Sequence, residues 1–133
     1  MKLSLLSLLM LLLAAACFSH SSSAEKNECQ PTLDQLRKKV MPLDTEVKAI
    51  IGDAVCTSDS ECRLIGYGAK PCGGPGRYLP YSIQSTDVAS LGEKVNEFNA
   101  LGRELNRRTG IASDCMVTPK PRVSCIESRC VTK

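Results

Sequence analysis

The chain has 133 residues, with 17 Lys plus Arg against 14 Asp plus Glu and one histidine, His20. Its formal charge of +3 is scattered, with both signs recurring inside single segments, which excludes the massed cations that nucleic-acid or membrane-surface binding requires. Tryptophan is absent and aromatic residues make up 4%, so large apolar side chains are scarce and the eight cysteines are the expected substitute for a bigger core.

Residues 1–24 read as a signal peptide. Lys2 precedes an apolar run from Leu3 to Ala16, broken only by Ser4 and Ser7 and too short to span a bilayer, and Ser22 and Ala24 fit cleavage before Glu25. A second route is lipid anchoring at Cys17 if the source is bacterial, since Leu13-Ala14-Ala15-Ala16-Cys17 approaches a lipoprotein box with Ala14 where leucine is usual. Either route exports the chain. Removing 24 of the 133 residues leaves 109: a flexible arm, 25–31, and a single disulfide-stabilised domain, 32–133. Lys2 and His20 go with the signal, leaving 16 basic against 14 acidic residues, no histidine and no candidate membrane span.

Thr32-Leu33-Asp34-Gln35 reads as a capping box that opens a helical segment reaching Gly52-Asp53. Leu33, Leu36, Val40, Leu43, Val47, Ile50 and Ile51 form its apolar stripe, and Pro42 predicts either two short helices or one kinked helix. The cluster Arg37-Lys38-Lys39 is read as a solvated face close to a helix C-terminus, where cations suit the dipole, rather than as a docking face. From Val55 to Ser82 helical periodicity disappears. Cys62 to Ile65 predicts a strand, and Gly66, Gly68, Gly73, Gly74 and Gly76 predict a turn-rich loop from Gly66 to Pro80 held at Cys72. That loop is no phosphate cradle, because it lacks the Lys-Ser/Thr ending and holds two prolines without an amide.

Thr86 to Arg108 is the clearest helix, capped by Ser85 or Thr86, with Val88, Leu91, Val95, Phe98 and Leu105 on one seam and Gly102 taking a seam position. Packing on its own domain is favoured over self-association. In the tail, Cys125 to Val131 reads as a short hairpin whose strands are expected beside the strand after Cys62, with the long helix across this sheet. The fold class is therefore α+β: a small disulfide-rich domain in which a long amphipathic helix packs on a small antiparallel sheet, with an extra N-terminal helical segment.

Seven cysteines survive export. Cys56, Cys62, Cys72, Cys115, Cys125 and Cys130 are read as three bridges, among 15 pairings that sequence leaves open. Cys29, isolated upstream, is left unpaired or joins two chains as a disulfide-linked dimer. The spacings fit no standard zinc signature, so neither metal nor cofactor is expected.

The phrases Cys56-Thr57-Ser58-Asp59-Ser60-Glu61-Cys62, Pro71-Cys72-Gly73-Gly74-Pro75 with Tyr78 and Tyr81-Ser82, and Ser113-Asp114-Cys115 followed by Cys125 and Cys130 resemble the layout of a group of short exported proteins over residues 53–131. That resemblance carries no established activity. The Cys-x-x-Asp-x-x-Cys phrase is also similar to secreted inhibitor modules of the whey-acidic type, whose adjacent-cysteine pair is missing.

Without histidine, and with the cysteines committed, nucleophilic triads are excluded; Asp53, Asp59 and Glu61 read as turn residues rather than catalytic carboxylates. The expected function is a secreted, noncatalytic binding or structural protein with an unidentified protein or extracellular ligand as partner. Its contact loop would include Lys70, Arg77, Tyr78 and Tyr81. The alternative is an inhibitor of trypsin-like serine proteases that uses loop 66–81, with Arg77-Tyr78 the better bond because Lys70 precedes a proline.

Overall fold

Helix α1, Leu33–Ile51, starts on the expected capping box: Thr32 Oγ1 accepts from the Gln35 amide at 3.2 Å, and Gln35 Oε1 accepts from the Thr32 amide at 2.7 Å. This computed structural model describes residues 30–133. The signal peptide, Cys17, His20, the arm through Glu28 and the Cys29 thiol lie outside the described residues. The helix runs through Pro42, so the alternative of two separate helices is corrected. A helix-interior proline costs about 3 kcal/mol. Leu36, Leu43 and Val47 are buried on both sides of it, and each full burial contributes about 1.5–3 kcal/mol, enough to hold the helix across the break. Continuation to Ile51 also corrects the reading of Arg37-Lys38-Lys39, which lie in the N-terminal half. They are exposed, and Arg37 pairs with Asp34 at 3.3 Å.

A single 3₁₀ turn, Asp59–Glu61, leads into strand β1, Cys62–Tyr67, which pairs antiparallel with β2, Arg77–Ser82, placing Cys62 opposite Ser82 and Tyr67 opposite Arg77. The loop expected from Gly66 to Pro80 is thus a hairpin whose connection is only 68–76. The clustered glycines predict one long loop, but Arg77–Ser82 is a strand, and Pro80 is tolerated in it because every strand of a two-stranded sheet is an edge.

Helix α2, Val88–Thr109, is capped by Asp87 and not by Ser85 or Thr86. Asp87 Oδ1 accepts from the Ser90 amide at 3.1 Å, whereas Thr86 is buried with its amide on Ser82 O at 3.0 Å. Arg107 and Arg108 occupy the last turn, and Gly110 ends it at φ 61°. Leu91 and Val95 are buried, while Phe98 stacks on Tyr67 with ring centroids 4.2 Å apart. Val88, expected on the seam, is exposed on the first turn.

Strands β3, Val123–Ile126, and β4, Arg129–Thr132, form a second two-stranded sheet. These strands, expected in one small sheet beside β1, form a sheet of their own. The second hairpin is joined to the first by the disulfide Cys62–Cys130, and to the segment that precedes the first by the disulfide Cys56–Cys125 and a backbone bridge between Val55 and Arg129. Two cores result: α1, α2 and the first hairpin enclose Val47, Tyr67, Leu91 and Val95, and the bridges enclose Ala54, Cys56, Cys62 and Cys130. The domain is a small disulfide-rich α+β unit. Among the described residues no helix is long and apolar enough to cross a membrane.

Candidate functional site

The connection 68–76 folds back on itself. Lys70 N–H donates to Gly74 O and Gly73 N–H to Lys70 O, both at 3.0 Å, with Gly73 at φ 97° and Gly74 at φ 78°, conformations that glycine adopts without a Cβ penalty. Cys72, at its tip, is bridged to Cys115 in the irregular strap 111–122. Lys70 reinforces that link, its Nζ pairing with Asp114 at 3.2 Å and donating to Met116 O.

Helix α2 holds the loop from the other side. Asn99 Nδ2 donates to Gly66 O at 3.1 Å, and Asn106 Nδ2 donates to Ala69 O at 2.7 Å. Between these ties helix and loop meet closely: a Cβ on Gly102 would stand 3.4 Å from the Ala69 Cβ, at van der Waals contact. The bond to Gly66 fixes the Asn99 amide and leaves its Oδ1 buried with no donor among the described residues.

Two hollows of about 270 and 480 Å³ lie along this seam and share Lys70, Gly73 and Arg103. The first extends past Asn99 and Pro75, the second past Arg107 to Ile111. Three cationic side chains, Lys70, Arg103 and Arg107, line them, and no carboxylate does. Glu104 lies on the flank, between Arg107 at 2.7 Å and Arg108; these guanidiniums, Arg107 first, hold its carboxyl at about 2. Arg103 is exposed and makes no hydrogen bond or ion pair among the described residues.

The four contact residues expected from sequence are dispersed. Lys70 is on the groove. Arg77 stands in β2 with its guanidinium 5.0 Å from the Tyr67 ring centroid and 3.9 Å from Asp44, outside both hollows. Tyr78 and Tyr81 are half-buried in the same strand, and Tyr81 packs on the first core. Tyr67, Asp44 and Lys48 complete a polar knot around Arg77, in which the Tyr67 hydroxyl donates to Asp44 and Lys48 pairs with the same carboxylate. Burial, then the hydrogen bond to Asp44, pushes the Tyr67 hydroxyl far up, while Lys48 and then Tyr67 lower Asp44.

The carboxylates considered for acid–base work have structural partners: Asp53 pairs with Arg129 at 3.3 Å, Asp59 accepts from the Cys125 amide at 2.6 Å, and Glu61 accepts from the Thr57 amide at 2.7 Å. The sulfurs of Cys56, Cys62 and Cys130 lie within 4.8 Å of one another, but all are spent in disulfides and offer no thiolate to a metal. Comparison with protein-family models, characterised proteins and solved structures yields no match. Sequence alone marks Arg107 only as a cation that suits the helix C-terminus, and does not mark Arg103. The spacing Asn99, Arg103, Asn106, Arg107, Gly110 places them along one side of a helix, and that periodicity was the available signal.

Proposed function

We propose that the chain is an exported, noncatalytic binding protein whose contact surface is the groove between the connection 68–76 and helix α2. The observation that carries this reading is a concave seam, braced by the Cys72–Cys115 bridge and by two asparagine ties, lined by three cations and no carboxylate. Export is supported by the signal-like residues 1–24 and by the three bridges among the described residues, which belong to an oxidising compartment. The noncatalytic reading is supported by the absence of histidine beyond His20 and by the structural engagement of Asp53, Asp59 and Glu61.

The inhibitor reading draws less support. A standard reactive loop offers its basic side chain outward, whereas Lys70 is tied to Asp114 and Met116 and Arg77 leans on Tyr67 within a strand. Incubation with trypsin is expected to leave the protease fully active. Nuclear magnetic resonance titration of the purified, oxidised protein with soluble polyanions tests the binding reading, with shifts expected at Gly68, Gly73, Gly74 and along Asn99 to Gly110. Perturbation scattered over the surface, or none, would remove it.

A further inference from the structure

Resting on that reading, we infer that the groove takes an extended acidic peptide segment with interspersed apolar side chains, supplied by a partner protein. Asn99 to Gly110 spans about 16 Å at 1.5 Å per residue, which accommodates about five residues of extended chain at roughly 3.3 Å each. Arg103, which has no partner among the described residues, stands at the junction of the two hollows, with Lys70 across the seam from it and Arg107 one turn further on. Lys70 and Arg107 already pair with Asp114 and Glu104, at 3.2 and 2.7 Å, so Arg103 is the principal match for an incoming carboxylate.

Three observations favour a peptide over other polyanions. Ile111 lines the far hollow at 57% exposure, an apolar contact that suits an aliphatic side chain. No aromatic ring lines either hollow, so the stacking platform common in sugar sites is missing. The cations line a recess between loop and helix, which a flat lipid surface does not enter, whereas a strand does.

Fluorescence anisotropy with a labelled six-residue peptide of alternating glutamate and leucine tests the inference, alongside a sulfated hexasaccharide and vesicles of equimolar phosphatidylserine and phosphatidylcholine. The peptide is expected to bind, to weaken with added salt, and to lose about fivefold in affinity on Arg103→Ala, the scale of one solvent-exposed charge contact. Arg103→Ala removes an exposed side chain, so its circular dichroism should match that of the unsubstituted protein. Arg77→Ala, outside the groove, should bind as the unsubstituted protein does. Arg103-dependent binding of the saccharide or the vesicles without the peptide overturns the peptide inference and keeps the groove. Peptide binding indifferent to Arg103→Ala combined with Arg107→Ala, or binding of none of the three probes, overturns both.

Discussion

The two ends of the first hairpin are both stapled, yet in opposite ways. At the Cys62 end, Cys56–Cys125 and Cys62–Cys130 are packed into a core in which Cys56, Cys62 and Cys130 are at most 4% exposed. At the other end Cys72–Cys115 joins two exposed, irregular segments, and both its cysteines face solvent. The first pair replaces the aromatic core that the composition lacks; the second holds a loop and a strap in position without contributing apolar burial. A disulfide here is thus either core material or a brace, and its surroundings decide which.

Removing one bridge at a time should break this comparison open. Chain entropy alone makes the bridges nearly equal, because sequence separations of 68 and 43 enter only as a logarithm, at about 4 kcal/mol each. Burial separates them. Cys62→Ala with Cys130→Ala should lose about 4 kcal/mol or more, since packing is forfeited besides the cross-link. Cys72→Ala with Cys115→Ala should lose only about 1–2 kcal/mol, because loop and strap regain freedom in the folded state as well and the constraint lifted from the unfolded chain is partly offset. Denaturant melts of the two double variants decide it, and equal losses would show that the exposed bridge is as structural as the buried one. Partial reduction should likewise open Cys72–Cys115 first.

The polar knot offers a smaller test on the same hairpin. Tyr67→Phe keeps the ring on Phe98 and beneath Arg77 but removes the hydroxyl bond to Asp44, a charged-acceptor bond worth about 1.5 kcal/mol. A melting midpoint unchanged from that of the unsubstituted protein would mean that Lys48 alone satisfies Asp44.

Acid should distinguish the two ends without any substitution. Glu104 is held at about 2 against an ordinary value of 4.5, by Arg107 and Arg108; Asp114 is lowered by the Met116 amide and then by Lys70. A depressed carboxyl contributes stability that is fully present above its unfolded value and disappears as pH falls toward its folded one. Glu61, beside Cys62, is lowered as well, by the Thr57 amide and hydroxyl, but there the buried bridges hold the chain whatever its charge, whereas Asp114 is the charge link between strap and Lys70. From about pH 4.5 downward amide exchange should therefore quicken first in 68–76 and 111–122 while the bridged hairpins stay protected. Simultaneous loss of protection at both ends would contradict the division.

Much of the fold was legible where one segment explains itself. The Thr32 capping box, both helical stripes, the terminal hairpin and the loop glycines each need only local spacing. What was not legible depends on distant partners. Pro42 reads as a break, and the clustered glycines as one long loop, because the burial that overrides the first and the strand Arg77–Ser82 that shortens the second appear only in three dimensions. Asp87 won the cap over Ser85 and Thr86 because Thr86 is drawn into the chain reversal after β2. The groove was half visible. Lys70 and the glycines mark the loop, but nothing in the sequence says that α2 faces it or that Gly102 comes against Ala69.

The smallest effect is expected at the turn of the terminal hairpin, Glu127-Ser128. Both residues have positive φ, 50° and 60°, the two-residue geometry for which Asn-Gly is the preferred pair. Neither Glu nor Ser suits it, and a non-glycine residue in this region costs about 1 kcal/mol or somewhat more. The strain persists because the turn is held from outside: Ser128 O accepts from the Cys56 amide at 3.0 Å, the Cys130 amide donates to Ala54 O at 2.9 Å, and Cys125 and Cys130 are both bridged. Glu127→Asn with Ser128→Gly keeps each of these backbone bonds and relieves the conformation, so the melting temperature should rise by about 4–8 °C for about 1 kcal/mol in a domain of this size. The gain should survive loss of the Cys72–Cys115 bridge and shrink when Cys62–Cys130 is absent, because only the latter helps force the turn and without it the strained geometry can relax. A fall in melting temperature would show that the Glu127 or Ser128 side chain supplies something that the backbone geometry does not reveal.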